Sequence, residues 1–152
     1  MNRATFLLIA CLSLRLADAL TLSTDDEGAR DAALQWLQVV DSGNYKDAAL
    51  LISEQVRGSR DWKNYFRTHR ASLGRMNKRQ IAEVKHALTI PGLPDVRTYV
   101  FIRFKTSFER PPSVRAGLAL NSGAASKPVV IEEIVMAKMG CCWEVCSYSI
   151  TQ

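Results

Sequence analysis

The apolar spacing of this chain changes once, at Gly74, from the period of a helix to the period of a strand, and that change restricts the fold class more than any other feature. Before it, Ala29, Ala32, Ala33, Trp36, Leu37 and Val40 recur at i, i+3, i+4, i+7, i+8 and i+11, the stripe of an amphipathic helix. Thr24, followed three residues later by Glu27, forms a capping box for its start, and Gly43 just past Ser42 supplies its stop. Asn44 is placed to cap a second, shorter helix with Tyr45, Ala48, Ala49 and Ile52 on one side. Ser59 is placed to cap a third, whose apolar line of Trp62, Phe66, His69 and Leu73 ends at Gly74.

After Gly74 the pattern alternates. Gln80 to Ile90 is the weakest strand, and Pro91-Gly92-Leu93-Pro94-Asp95 is turn chemistry. Tyr99 to Phe108 is the clearest strand, with Val100, Ile102, Phe104, Thr106 and Phe108 on one face and Arg103 and Lys105 on the other. Residues 109–128, rich in Pro, Gly, Ser and Ala, read as a long flexible loop. Val129 to Lys138 and Cys142 to Ile150 are the last two strands, joined around Gly140. Helices first and strands afterwards imply an α+β fold, in which three N-terminal helices pack on a four-stranded antiparallel sheet.

Ahead of the first helix, Arg3, an apolar run from Thr5 to Leu14, and the small-x-small triplet Ala17-Asp18-Ala19 spell a secretory signal. The expectation is a signal peptide over residues 1–19, cleaved after Ala19, and one α+β domain over 20–152 that works outside the cytoplasm, periplasmic or secreted. The apolar run is about half of the roughly 20 residues that a membrane span requires, and Arg15 interrupts it, so the mature chain is expected to have no transmembrane span. Leu8-Ile9-Ala10-Cys11 has the form of a lipoprotein site. Cutting before Cys11 would leave an apolar segment shorter than the usual 7 to 15 residues and would give Leu12 to Leu14 no role, which favours Ala19.

Loss of Arg3, Arg15 and Asp18 with the signal lowers the formal charge from +5 to +4, on a chain long enough to bury a core without staples. Seven carboxylates lie between Asp25 and Glu54, and eight basic residues between Arg57 and Arg79 against the single Asp61. On a helix, Arg60, Lys63, Arg67 and Arg70 follow steps of three or four and form one stripe able to meet anionic groups. Its duller role is a solvated face partly neutralised by the acidic first helix. Export rules out intracellular nucleic acid as its partner.

Three cysteines survive cleavage, Cys141, Cys142 and Cys146, and an odd number leaves a thiol that is free or joins two chains in a disulfide-linked dimer. Four strand steps separate Cys142 from Cys146 by about 13 Å, beyond the roughly 7 Å that a disulfide spans, and a bridge between the neighbours Cys141 and Cys142 would be strained. The three are read as free thiols, buried or exposed at the turn. A metal would need a further ligand from His69 or His86 and the spacing is not C-x-x-C, so neither a metal nor any other cofactor is expected.

Catalytic constellations are absent from the sequence: no Ser-x-x-Lys, Gly-x-Ser-x-Gly, His-Glu-x-x-His or phosphate-cradling glycine loop occurs. Glu132 and Glu133 point to opposite sides of a strand and cannot act as one pair. His69, on the apolar line, reads as a core or boundary histidine, and Trp36, Trp62 and Trp143 as core. No catalytic residue is assigned.

The ordered set Ala33-Leu34-Gln35-Trp36-Leu37, Asp41-Ser42-Gly43-Asn44-Tyr45, Trp62, Arg70-Ala71-Ser72-Leu73-Gly74, Pro91-Gly92-Leu93-Pro94-Asp95, Tyr99, Glu132-Glu133-Ile134 and Trp143-Glu144-Val145 resembles the small exported bacterial proteins of domain-of-unknown-function family 4019. The resemblance implies a cone-shaped sheet around helices, cystatin-like or nuclear transport factor-like, and brings no catalytic residues. Two departures are Val96-Arg97 where a glycine is expected and the length of Pro111 to Pro128. The resulting expectation is a non-catalytic binding or interaction domain of the cell envelope, with a small molecule or an envelope protein as partner. The alternatives are a protein that binds anionic surfaces through the basic stripe and an enzyme of the cone superfold with a deep pocket.

Overall fold

The computed structural model describes residues 24–93, 98–109 and 129–151; the expected signal peptide over 1–19, Pro94 and Asp95 of the expected turn, and all but residue 109 of the expected flexible loop over 109–128 lie outside them. Helix α1 (Thr24–Asp41) carries Asp25, Asp26 and Glu27 in its first turn, where carboxylates meet the positive end of the helix dipole. Its stripe buries Ala29, Ala33, Trp36, Leu37 and Val40. The Asn44 side chain caps α2 (Tyr45–Leu50) by accepting from the Asp47 backbone N–H at 3.4 Å.

The third expected helix takes a different form. After a short α3 (Glu54–Arg57), α4 (Trp62–Tyr65) starts at an Asp61 cap, rather than at Ser59, with the Asp61 carboxylate accepting from the Asn64 N–H at 3.0 Å. The chain then widens into a π turn over Phe66–Arg70 and tightens into a 3₁₀ turn over Ala71–Leu73. Among the described residues four α-helices thus replace the expected three. A π turn holds one residue more than an α turn, so the inward line runs Trp62, Phe66, Arg70 and Leu73, and His69 is left exposed.

Strands β1 (Met76–Ala87), β2 (Tyr99–Phe108), β3 (Val129–Met139) and β4 (Cys142–Thr151) form one antiparallel sheet in chain order. β2 has the bounds that its alternation implies. β1 begins four residues before Gln80 because Lys78 and Arg79, polar by composition, pair with Ser107 and Thr106. The helices lie on one face, where Trp36 meets the edge of Tyr148 at 5.1 Å and Phe66 at 5.8 Å between ring centroids, over buried Ile102, Phe104, Ile134 and Met136. The architecture is therefore α+β with an antiparallel sheet.

The sheet borders differ. At β4, Ile52 bridges Val145 in parallel and the Ser53 N–H donates to the Val145 carbonyl at 2.8 Å. At β1 the register shifts twice, between Met76 and Lys78 and between Ile81 and Glu83. A further bulge in β4 sets Cys146 between the residues that face Val135 and Met136. Among the described residues no helix is long and apolar enough to cross a membrane.

Candidate functional site

Polar residues at inward positions come together beneath the C-terminal end of α1. Asp41 there pairs with Arg70 from the π turn (Nη2 to Oδ1, 2.7 Å) and with Arg79 from β1 (Nη1 to Oδ2, 2.7 Å). Arg79 continues to Glu132 on β3 through Nε at 2.9 Å and Nη2 at 2.8 Å. The hydroxyls of Thr106 and Tyr148 donate to the two oxygens of Glu132 at 2.5 and 2.6 Å. Glu132 is wholly buried and Arg70 is 2% exposed.

Burial pushes the Tyr148 hydroxyl well above its ordinary value, and the Glu132 charge adds to the effect. Burial opposes the charge on Arg79, yet the hydrogen bond to Asp41 and the charges of Glu132 and Asp41 hold it above the usual range. Both oxygens of Glu132 are engaged, so the cluster acts as a clamp between α1, the π turn and all four strands rather than as a base presented to a substrate. Sequence reasoning missed this cluster. Its one visible trace was Thr106 on the apolar face of β2, between Phe104 and Phe108.

The basic stripe is divided by the same event. Arg60, Lys63 and Arg67 are exposed, whereas Arg70 is buried in the ion cluster and leaves the surface face; the π turn is the cause. The Arg60 guanidinium stacks 4.9 Å from the Trp62 ring and 4.6 Å from Tyr65, and Arg67 donates to the Asn64 side chain at 2.9 Å. Four of the five acidic residues of α1 are paired: Asp25 to Lys138 and Asp26 to His86, each at 2.5 Å, Asp31 to Arg30, and Asp41 to Arg70 and Arg79. Within the stripe, neutralisation by the first helix therefore reaches only Arg70. Among the described residues, Arg60, Lys63 and Arg67 form no ion pair. The expectation of a boundary His69 is corrected as well: its ring is exposed, 4.6 Å from Tyr65.

An open groove of about 320 Å³ runs between α1 and β4, lined by Trp36, Val39, Leu51, Met136, Trp143 and Val145 among others. On the far face of the sheet, Arg103 bridges Glu83 and Glu133 at 2.9 and 2.6 Å, so Glu133 stands on the opposite side from Glu132.

The β3–β4 hairpin turns on Gly140 and Cys141. Gly140 has φ 63° and among the described residues no non-glycine has a positive φ, which makes this a two-residue turn of type II′. Cys141 and Cys142 are exposed with their sulfurs 2.9 Å apart. Cys146 is not exposed: the bulge turns it inward, and burial pushes its thiol up to about 11. Among the described residues no three His, Cys, Asp or Glu side chains are arranged to hold a metal ion. A thiol reagent added to the native mature protein should label two cysteines and reach the third only on unfolding, as counted by intact mass; rapid labelling of all three would contradict the burial of Cys146.

The family model described as "Protein of unknown function (DUF4019)" matches residues 32–127. Searches of the curated proteins and of the solved structures return no match.

Proposed function

We propose that this chain, which belongs to the DUF4019 family of proteins of unknown function, is a non-catalytic interaction domain of the cell envelope that docks on anionic phospholipid surfaces through Arg60, Lys63 and Arg67. The observation that carries this reading is that these three cations are exposed and form no ion pair among the described residues, while Asp25, Asp26, Asp31 and Asp41 of α1 are bound to other partners. Stacking on Trp62 and Tyr65 also limits the freedom of Arg60, so less entropy is lost when it meets a phosphate. Residues 1–19 place the protein outside the cytoplasm in this reading, with cleavage after Ala19.

The same reading takes the helices and sheet as a cystatin-like or nuclear transport factor-like cone. An enzyme built on that plan requires a deep pocket with a free polar group. Trp36, Phe66 and Tyr148 pack between the helices and the sheet, and Glu132 is engaged at both oxygens, which supports the non-catalytic reading. The groove beside Trp36 and Trp143 supports a second reading, an apolar small molecule held there.

Cosedimentation with phosphatidylglycerol-containing vesicles tests the surface reading. Binding should be present at low salt and collapse at 0.5 M NaCl, because exposed charges are screened within a few ångströms there. Each cation near such a surface is worth about 1 kcal/mol, so Lys63→Gln with Arg67→Gln should weaken binding about thirtyfold. Binding that survives either change would overturn the proposal.

A further inference from the structure

We propose that Cys141 and Cys142 form a bidentate dithiol site, at the tip of the β3–β4 hairpin, for trivalent arsenic and metalloids of the same chemistry. The two sulfurs lie 2.9 Å apart and both side chains are exposed, so a ligand reaches them without opening the fold. The two-residue turn fixes their backbones, which removes most of the entropy that a flexible pair would lose on chelation.

The separation selects the centre. A linear two-coordinate ion requires its sulfurs on opposite sides, which neighbours this close do not provide. Tetrahedral zinc requires further ligands, and no group of three or more metal-ligating side chains is assembled among the described residues. A trigonal pyramidal centre takes two adjacent thiolates at a narrow angle and asks the protein for nothing more.

The step balances without an oxidant. An organic arsenoxide, R–As=O, condenses with the two thiols; both S–H bonds and the As=O bond are replaced by two As–S bonds, and the two protons leave with the oxygen as water. Arsenic stays trivalent and both sulfurs stay at the thiol oxidation level. Once the first As–S bond forms, the second closes within the molecule, where its effective concentration far exceeds that of a thiol in solution.

The surroundings favour this use over disulfide exchange. The hydrogen bond to Cys141, followed by the Cys141 charge, burial and the Glu144 charge, raises the Cys142 thiol above its ordinary range, which makes it a poorer attacker of disulfides. Condensation with an arsenoxide uses the protonated thiols. Cys146 is buried and stays outside the site.

The test is the intact mass of the reduced mature chain, residues 20–152, after treatment with phenylarsine oxide. One reagent per chain should add with loss of one water, survive excess 2-mercaptoethanol, and be removed by 1,2-ethanedithiol. Cys141→Ser and Cys142→Ser should each abolish the stable adduct while melting like the parent chain, as both positions are exposed at a turn; Cys146→Ser should keep it. No adduct on the parent chain, stripping by the monothiol, persistence in either turn variant, or loss in Cys146→Ser would each overturn the proposal.

Discussion

Arg79→Ala should lose about 3–5 kcal/mol of stability in urea denaturation, among the largest losses of any single substitution in this chain. The guanidinium is the hub between Asp41 and Glu132, and its removal leaves a wholly buried carboxylate without a cation. Two hydroxyls still donate to Glu132, but neither neutralises it. Replacing both charges with apolar groups of similar shape, Arg79→Met with Glu132→Leu, should cost much less than Arg79→Ala alone, because the unpaired charge disappears with its partner. Equal losses in the two variants would mean that the cluster is held by packing and not by charge. A loss below about 1 kcal/mol for Arg79→Ala would place it with surface pairs.

Trp36→Ala should cost about 3–5 kcal/mol, read as a lowered melting midpoint. Its ring meets Phe66 and Tyr148, and its indole N–H donates to the Ala48 carbonyl at 2.9 Å, which ties α2 to α1. Trp36→Phe separates the two contributions. It keeps much of the apolar contact, loses the donor to a buried carbonyl, and should cost about 1–3 kcal/mol. An unchanged midpoint in the alanine variant would contradict the inward face assigned to α1.

Elements whose faces divide cleanly between apolar and polar were legible from residues alone. The stripe from Ala29 to Val40 is α1, and the alternation from Val100 to Phe108 is β2. The segment after Ser59 was not legible, because a π turn shifts which residues face inward and no composition signal announces it. One shift had two results: Arg70 left the surface stripe and His69 joined the exposed face. The ion cluster was hidden for another reason. Its members come from α1, the π turn and all four strands, far apart in sequence, and each alone looks like an ordinary polar residue. Gly140 marks the hairpin turn in the residues, but the inward course of Cys146 depends on a bulge that strand periodicity does not show.

The unequal borders of the sheet decide how copies of this chain avoid stacking into fibrils. An incoming strand at the β4 border finds the Val145 carbonyl already taken by Ser53 and Ile52 standing in its path. No described strand pairs with the β1 border, but two irregularities bend it, and Lys78 and Lys85 stand exposed along it. A second strand there would have to straighten the bends and bring like charges close to one another. Concentrated protein should therefore resist sheet-to-sheet growth through one border that is plugged and another that is bent and charged.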